Sequence, residues 1–110
     1  MRRQRSTEHE TQSVILDWLK VKRIFHWRSN TGAFVGTYKG KSRFVRFGKK
    51  GSPDIFVMIP GRGTFGIEVK ASEGFQSQVQ REFEVEFVRA GGCYILAFDL
   101  DDVIRVLEAA

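Results

Sequence analysis

Pro53-Asp54-Ile55-Phe56-Val57-Met58-Ile59-Pro60-Gly61-Arg62-Gly63-Thr64-Phe65-Gly66-Ile67-Glu68-Val69-Lys70 is the stretch whose reading decides the fold. Asp54 to Ile59 is apolar and β-branched enough to be a strand, and Gly61-Arg62-Gly63 is a turn. Phe65 to Lys70 is then its antiparallel neighbour, because so short a connection cannot make a parallel crossover. Alternation along the second strand places Phe65, Ile67 and Val69 on an apolar face and Gly66, Glu68 and Lys70 on a face expected to be polar and open. Pairing the start of the first strand with the end of the second brings Asp54, Glu68 and Lys70 to one edge of the sheet.

The flanking segments extend this pair into a mixed sheet. Toward the N-terminus, Ser6 or Thr7 caps a helix running to about Lys22, with Val14, Ile15, Trp18 and Leu19 at helical spacing. Ile24 to Arg28 reads as a strand, Ser29-Asn30-Thr31-Gly32 as a turn, and Tyr38 to Phe47 as a ragged hairpin around Gly40. Gly48 to Pro53 is a loop. Toward the C-terminus, a helix over about Gln76 to Ala90 carries Val79, Phe83 and Phe87 on one stripe and stops at Gly91-Gly92. Cys93 to Phe98 is an apolar strand, expected to be buried on both faces and parallel to its partner across that helix. Asp99 to Asp102 starts a last helix bearing Val103, Ile104 and Leu107. Trp18, Trp27, Phe83 and Phe87 are expected in the core.

With 110 residues, 42% hydrophobic and 28% charged, the chain suits one domain able to bury a real core. The domain is expected to span residues 1–110, with 1–5 a flexible basic tail. No apolar run reaches the ~18 residues of a membrane helix, and the polar, acidic N-terminus lacks a signal-peptide pattern, so a soluble intracellular protein is expected. The single cysteine, Cys93, excludes intrachain disulfides and multi-cysteine zinc clusters. The two histidines, His9 and His26, have no fitting second motif for a zinc or histidine-based site.

Charge is unevenly distributed. Between Asp17 and Asp54 there is no acid, while Lys20, Lys22, Arg23, Arg28, Lys39, Lys41, Arg43, Arg46, Lys49 and Lys50 give +10; the other 8 cations against all 13 acids give −5. A basic block interleaved with Phe25, Trp27, Tyr38, Phe44 and Phe47 suits a phosphate backbone, whose binding draws on counterion release. The plainer alternative is a solvated basic face. Strand-and-loop character argues against a membrane-surface helix.

The chemistry follows from the carboxylate pair. Side by side, Asp54 and Glu68 repel until a hard divalent cation such as Mg²⁺, which takes oxygen ligands and keeps several waters, bridges them. The Lys70 ammonium then lies where it can orient a water and stabilise charge growing on a phosphate. Alone, an E-x-K strand is an ordinary surface ion-pair pattern and Pro-Asp an ordinary turn. Glu8 and Gln12 share the side of the first helix that carries Ile15 and Leu19, whereas Glu10 lies toward the other flank. Glu8 could otherwise serve only the helix dipole.

Together, Pro53-Asp54 and Glu68-Val69-Lys70 form the spaced signature of the PD-(D/E)xK nuclease superfamily. The chain resembles its VRR-NUC (virus-type replication-repair nuclease) domains in the TEHETQ helix start, HWRSNTGA, GKKGSPDIFV, GIEVK, FQSQVQREF and AGGCYILAF followed by DLDDVIRVL, from about Ser6 to Leu107. The resemblance implies a restriction-endonuclease-like α/β core, a mixed sheet flanked by helices. It implies phosphodiester hydrolysis with Mg²⁺, for which Mn²⁺ can substitute. The metal ligands would be Asp54, Glu68, the Val69 carbonyl and Glu8, with Lys70 as the catalytic lysine and Gln80, near Gln76, beside the site. Arg28, Asn30, Lys49 and Lys50 would contact DNA. Short members of the family resemble Holliday-junction resolvases, which implies branched DNA, a homodimer and a cytoplasmic setting in a bacterial or phage-infected cell. Alternatives are a flap or nicking nuclease of the same superfamily, or an inactive DNA-binding module, against which the intact Asp54, Glu68 and Lys70 argue. The stretch Phe34 to Phe47 is expected to contribute to a dimer interface.

Overall fold

A computed structural model of the chain describes residues 7–29 and 32–109, with 32–38 and 42–47 described by their backbone. The elements are α1 (Glu8–Val21), β1 (Phe25–Arg28), β2 (Gly32–Tyr38), β3 (Lys41–Phe47), β4 (Ile55–Ile59), β5 (Gly63–Val69), α2 (Gln78–Arg89), β6 (Cys93–Ala97) and α3 (Leu100–Leu107). The main sheet has the order β1-β4-β5-β6, and β2 and β3 form a separate two-stranded sheet. The β1–β4 and β4–β5 pairs are antiparallel and β5–β6 is parallel, so α2 is the crossover that the direction of β6 requires. This is the mixed α/β architecture expected from the sequence.

Each helix is delimited by its own chemistry. The Thr7 side chain accepts from Glu10 N at the start of α1, and Asp99 accepts from Asp102 N at the start of α3. The α2 cap is Ser77, with a reciprocal capping box to Gln80, so the helix starts at Gln78, two residues later than the hydrophobic stripe suggests. At its other end, Gly91 (φ 104°) and Gly92 return hydrogen bonds to the Val88 and Phe87 carbonyls, a Schellman stop. One face of the sheet packs Ile55, Val57, Phe65, Ile67, Val69, Ile95 and Ala97 against Ile15 and Leu19 of α1 and Val103 and Leu107 of α3. The Arg62 guanidinium donates to the Leu107 and Val106 carbonyls, tying the β4–β5 turn to the C-terminal end of α3.

Several expectations are corrected. The hairpin is not confined to Tyr38–Phe47: β2 starts at Gly32 and pairs residue for residue with β3 through a tight turn in which Lys39 (φ 52°) and Gly40 (φ 76°) are both left-handed. Trp27 is 42% exposed rather than core, because β1 ends the sheet and no described helix covers its side of that face. Phe83 is buried and Trp18 and Phe87 are half-buried. The last strand is not buried on both faces: β6 ends at Ala97, lies at the other sheet edge, and Phe98 is exposed. Asn30 and residues 1–5 lie outside the described residues, as do the side chains of Phe34 to Tyr38 and Ser42 to Phe47.

The loop leading into Asp54 is held against α2. A Cβ at Gly51 (φ 84°) would stand 2.5 Å from the Val79 carbonyl oxygen, whereas one at Gly61 (φ 79°) would meet nothing within 4 Å. Gly61→Ala should therefore cost only the left-handed penalty, ~1–2 kcal/mol, and Gly51→Ala clearly more, because backbone must also shift. Urea unfolding of the two variants checks this; equal midpoints would mean that the loop does not dock on α2.

Candidate active site

The register of the sheet assembles the site. Phe25 and Trp27 of β1, Phe56 and Met58 of β4, Gly66 and Glu68 of β5, and Tyr94 and Leu96 of β6 share the face on which α2 lies, where the Phe56 ring meets Phe83 and Phe87 in tilted contacts. Asp54 stands immediately before β4, and its Oδ2 accepts from the Val69 N–H at 2.8 Å, which fixes the carboxylate beside Glu68. The Asp54 carbonyl in turn accepts from Ser29 N at 2.8 Å, and the Lys70 N–H donates to the Ala97 carbonyl at 2.9 Å. The ends of β1, β4, β5 and β6 thus meet at these residues.

The expected open face is closed at Glu68, which is only 3% exposed; two residues earlier on the same face, Pro53 and the Phe87 ring of α2 lie over Gly66. Burial raises the Glu68 carboxyl from an ordinary value near 4.5 to about 9, helped by a hydrogen bond and charge from Asp54 and by Glu8, and opposed by Lys70. Its Oε1 has no hydrogen-bond partner. A buried carboxyl oxygen without a partner is costly, and beside a second carboxylate it is the donor set a hard cation takes. Asp54 and Glu68 therefore make a donor set that fits a hard divalent cation. Among the described residues no three His, Cys, Asp or Glu side chains are drawn together as a metal-binding group, while Glu8 lies close enough to the pair to raise the Glu68 carboxyl.

Other sequence-selected residues fall at graded distances. Glu8 Oε1 accepts from Ala71 N at 3.4 Å, next to Lys70, whereas Glu10 is taken up with Thr7 at its own helix cap. Gln80 uses Oε1 to accept from Ser77 N at the α2 cap. Gln76 instead donates to Glu84 at 2.9 Å and lies beside the buried Tyr94 hydroxyl, whose acidity burial weakens to about 12. Tyr94 and Glu84 escaped the sequence reading; a phenol among the aliphatic residues of β6, two positions before Leu96 on the Glu68 face, was the available signal. Lys49 and Lys50 are exposed on the loop before Asp54, and Arg28 is exposed at the end of β1, paired with Ile55.

No family model and no curated protein matches the chain. A solved structure described as "VRR_NUC domain" superposes on it with a TM-score of 0.63, covering 94% of this chain and 97% of its own at 17% identity. The chain has the VRR-NUC fold.

Without a divalent cation, folded protein keeps the Glu68 proton that unfolded chain releases above about 4.5. Stability contributed by the protonated carboxyl is complete below that value and is lost as pH rises toward about 9. Glu68→Gln should flatten this slope and raise the melting temperature at pH 8 in EDTA. Melting curves between pH 4.5 and 9 test it; parallel curves for the two proteins would remove Glu68 as the origin.

Proposed function

We propose that this chain is a metal-dependent endonuclease that hydrolyses phosphodiester bonds in branched DNA, with Mg²⁺ as its natural ion and Mn²⁺ able to replace it. The observation that carries the reading is a buried carboxyl with an unpartnered oxygen, Glu68, set between Asp54 and Lys70 on the VRR-NUC fold. A divalent ion held there would polarise the phosphate and lower the pKa of a bound water. Asp54, anchored by the Val69 N–H, and Glu68, oriented by its strand, hold their oxygens in place before substrate arrives. The Lys70 ammonium, close enough to act on Glu68, orients the attacking water and stabilises charge developing on the phosphate. Arg28, Lys49 and Lys50, from the segment of net +10, would bind the flanking phosphates, with Asn30 a further contact and Glu8 and Gln80 supporting the site.

The finer reading is a Holliday-junction resolvase acting as a homodimer in the cytoplasm. One chain carries a single Asp54, Glu68 and Lys70 set, and resolution needs two symmetric cuts, which a two-fold dimer supplies. Phe34 to Phe47 would contribute to the interface. The single site equally suits a flap or nicking nuclease if the chain acts as a monomer.

Cleavage of synthetic branched DNA should require Mg²⁺ or Mn²⁺ and vanish in EDTA. Lys70→Ala should lower the rate by orders of magnitude while leaving DNA affinity intact; normal cleavage by this variant, or full activity in EDTA, would overturn the assignment.

Light scattering should report about twice 12.6 kDa. Mixing with Asp54→Ala should give heterodimers that nick a four-way junction without resolving it. A monomer that only nicks would select the flap or nicking reading.

A further inference from the structure

The aromatic residues of β1 are not used by the metal site, and they are not core. Phe25 is 67% and Trp27 42% exposed, with ring centroids 5.8 Å apart in an edge-to-face pair. Trp27 stacks on Phe56 at 5.4 Å and 24°, and Phe56 leans on Phe83 and Phe87. The exposed rings are therefore the outer end of a rigid aromatic row whose inner end is buried under α2. Met58, 45% exposed, is paired with Phe25. A shallow groove of about 500 Å³ bounded by Phe25, Met58, Ile59, Pro60, Gly61 and Gly63 continues the surface past the strand end.

Three features point to the same occupant. The row lies on the face of the sheet that carries Glu68, so a strand whose phosphate reaches Asp54 and Glu68 can pass along it. Phe25 lies four residues before Ser29, whose N–H meets the Asp54 carbonyl, or about 13 Å at ~3.3 Å per residue. That is about four nucleotide steps at the stacked spacing of ~3.4 Å. The strand belongs to the segment from residue 18 to 53, which contains no acid and ten cations, so the surroundings favour a polyanion and disfavour a basic or a purely apolar protein face. Exposed, pre-positioned rings in a positive field are what unpaired bases need: every base offers a π-face, whereas bases paired within a duplex are already stacked.

We propose that Phe25 and Trp27, extended by Met58, form a stacking platform for unpaired bases about four nucleotides from the bond cut at Asp54 and Glu68. The proposal rests on the nuclease reading for the position of that bond, and it narrows the substrate to DNA with a single-stranded segment next to the cleaved position. Base pairs at a perfect junction would have to open there, whereas a flap or splayed branch presents its bases directly.

The test measures binding in EDTA, so it does not depend on cleavage. Fluorescence anisotropy compares a blunt duplex with the same duplex carrying a single-stranded branch, for the wild type, Phe25→Ala, Phe25→Leu and Phe25→Tyr. The wild type should prefer the branched DNA. The branched-to-blunt affinity ratio should fall roughly tenfold in Phe25→Ala and Phe25→Leu, the scale of one lost base stack, and persist in Phe25→Tyr. Unlabelled single strand should quench tryptophan emission in the wild type, and the quenching should disappear in Trp27→Leu. An unchanged ratio in Phe25→Ala, or a ratio that Phe25→Leu retains, would overturn the platform. So would a shift of Phe25→Ala from dimer to monomer in light scattering, which would assign the face to a second copy. If branch preference tracks Phe25 but no DNA is cut with Mg²⁺ or Mn²⁺, the nuclease reading fails and the platform stands. If DNA is cut with a branch preference indifferent to Phe25, the platform fails and the nuclease reading stands.

Discussion

A carboxyl group buried beside a second carboxylate is the constraint around which the rest of this small fold is arranged. Removing Glu68 from water favours its neutral form, and Asp54 next to it reinforces that preference. A group in this position is poorly adapted to stability alone: a leucine would fill the space without an unpartnered oxygen. The arrangement suits a hard cation, which Asp54 and Glu68 would hold and which would offset their repulsion and satisfy Oε1. The local N–H donors and the Lys70 charge keep the two carboxylates in position beforehand, so little reorganisation accompanies binding.

That arrangement also accounts for the distribution of charge. The acids cluster in the helices and at the carboxylate pair, while the segment from residue 18 to 53 is purely basic. A DNA strand brought in by the basic segment would be repelled by two ionised carboxylates, but not by a neutralised pair or one bridged by a divalent ion. With its carboxyl held neutral by burial, Glu68 would present less negative charge to a phosphate than an ionised pair would.

Much of the frame was legible because its determinants are local. Thr7 and Asp99 cap their helices, Gly91-Gly92 ends α2, and the Gly61-Arg62-Gly63 turn forces β4 and β5 to run antiparallel. The convergence of Asp54 with Glu68 follows from the same register. What escaped depends on packing between distant segments. Alternation correctly put Glu68 on the face opposite Ile67 and Val69, but whether that face met water depended on where α2 and Pro53 settled. Trp27 failed in the opposite sense: an aromatic strand residue is ordinarily core, yet β1 ended the sheet beyond the reach of α2. The β2–β3 hairpin was foreshortened because Gly32, Gly36 and Gly40 interrupt its alternation, and Lys39, rather than a glycine, takes one left-handed turn position.

Gly66 shows how backbone and chemistry are joined. A glycine in the middle of a strand forgoes side-chain packing and costs conformational entropy, so it needs a reason. Here a Cβ at Gly66 would stand 2.8 Å from Pro53 Cγ and 3.4 Å from the Phe87 ring. The missing side chain lets the Pro53 ring sit directly on β5, where it is fully buried, and the fixed φ of that ring directs the chain into Asp54. One residue further, the Asp54 carboxylate reaches the Val69 N–H, three positions along β5 from Gly66 and next to Glu68. A larger residue at Gly66 would lift Pro53 and carry Asp54 away from Glu68, although neither carboxylate touches Gly66. The separation of the two carboxylates is thus set by the closeness of two backbone segments, and the glycine that permits it belongs to the site as much as the groups that would hold the ion.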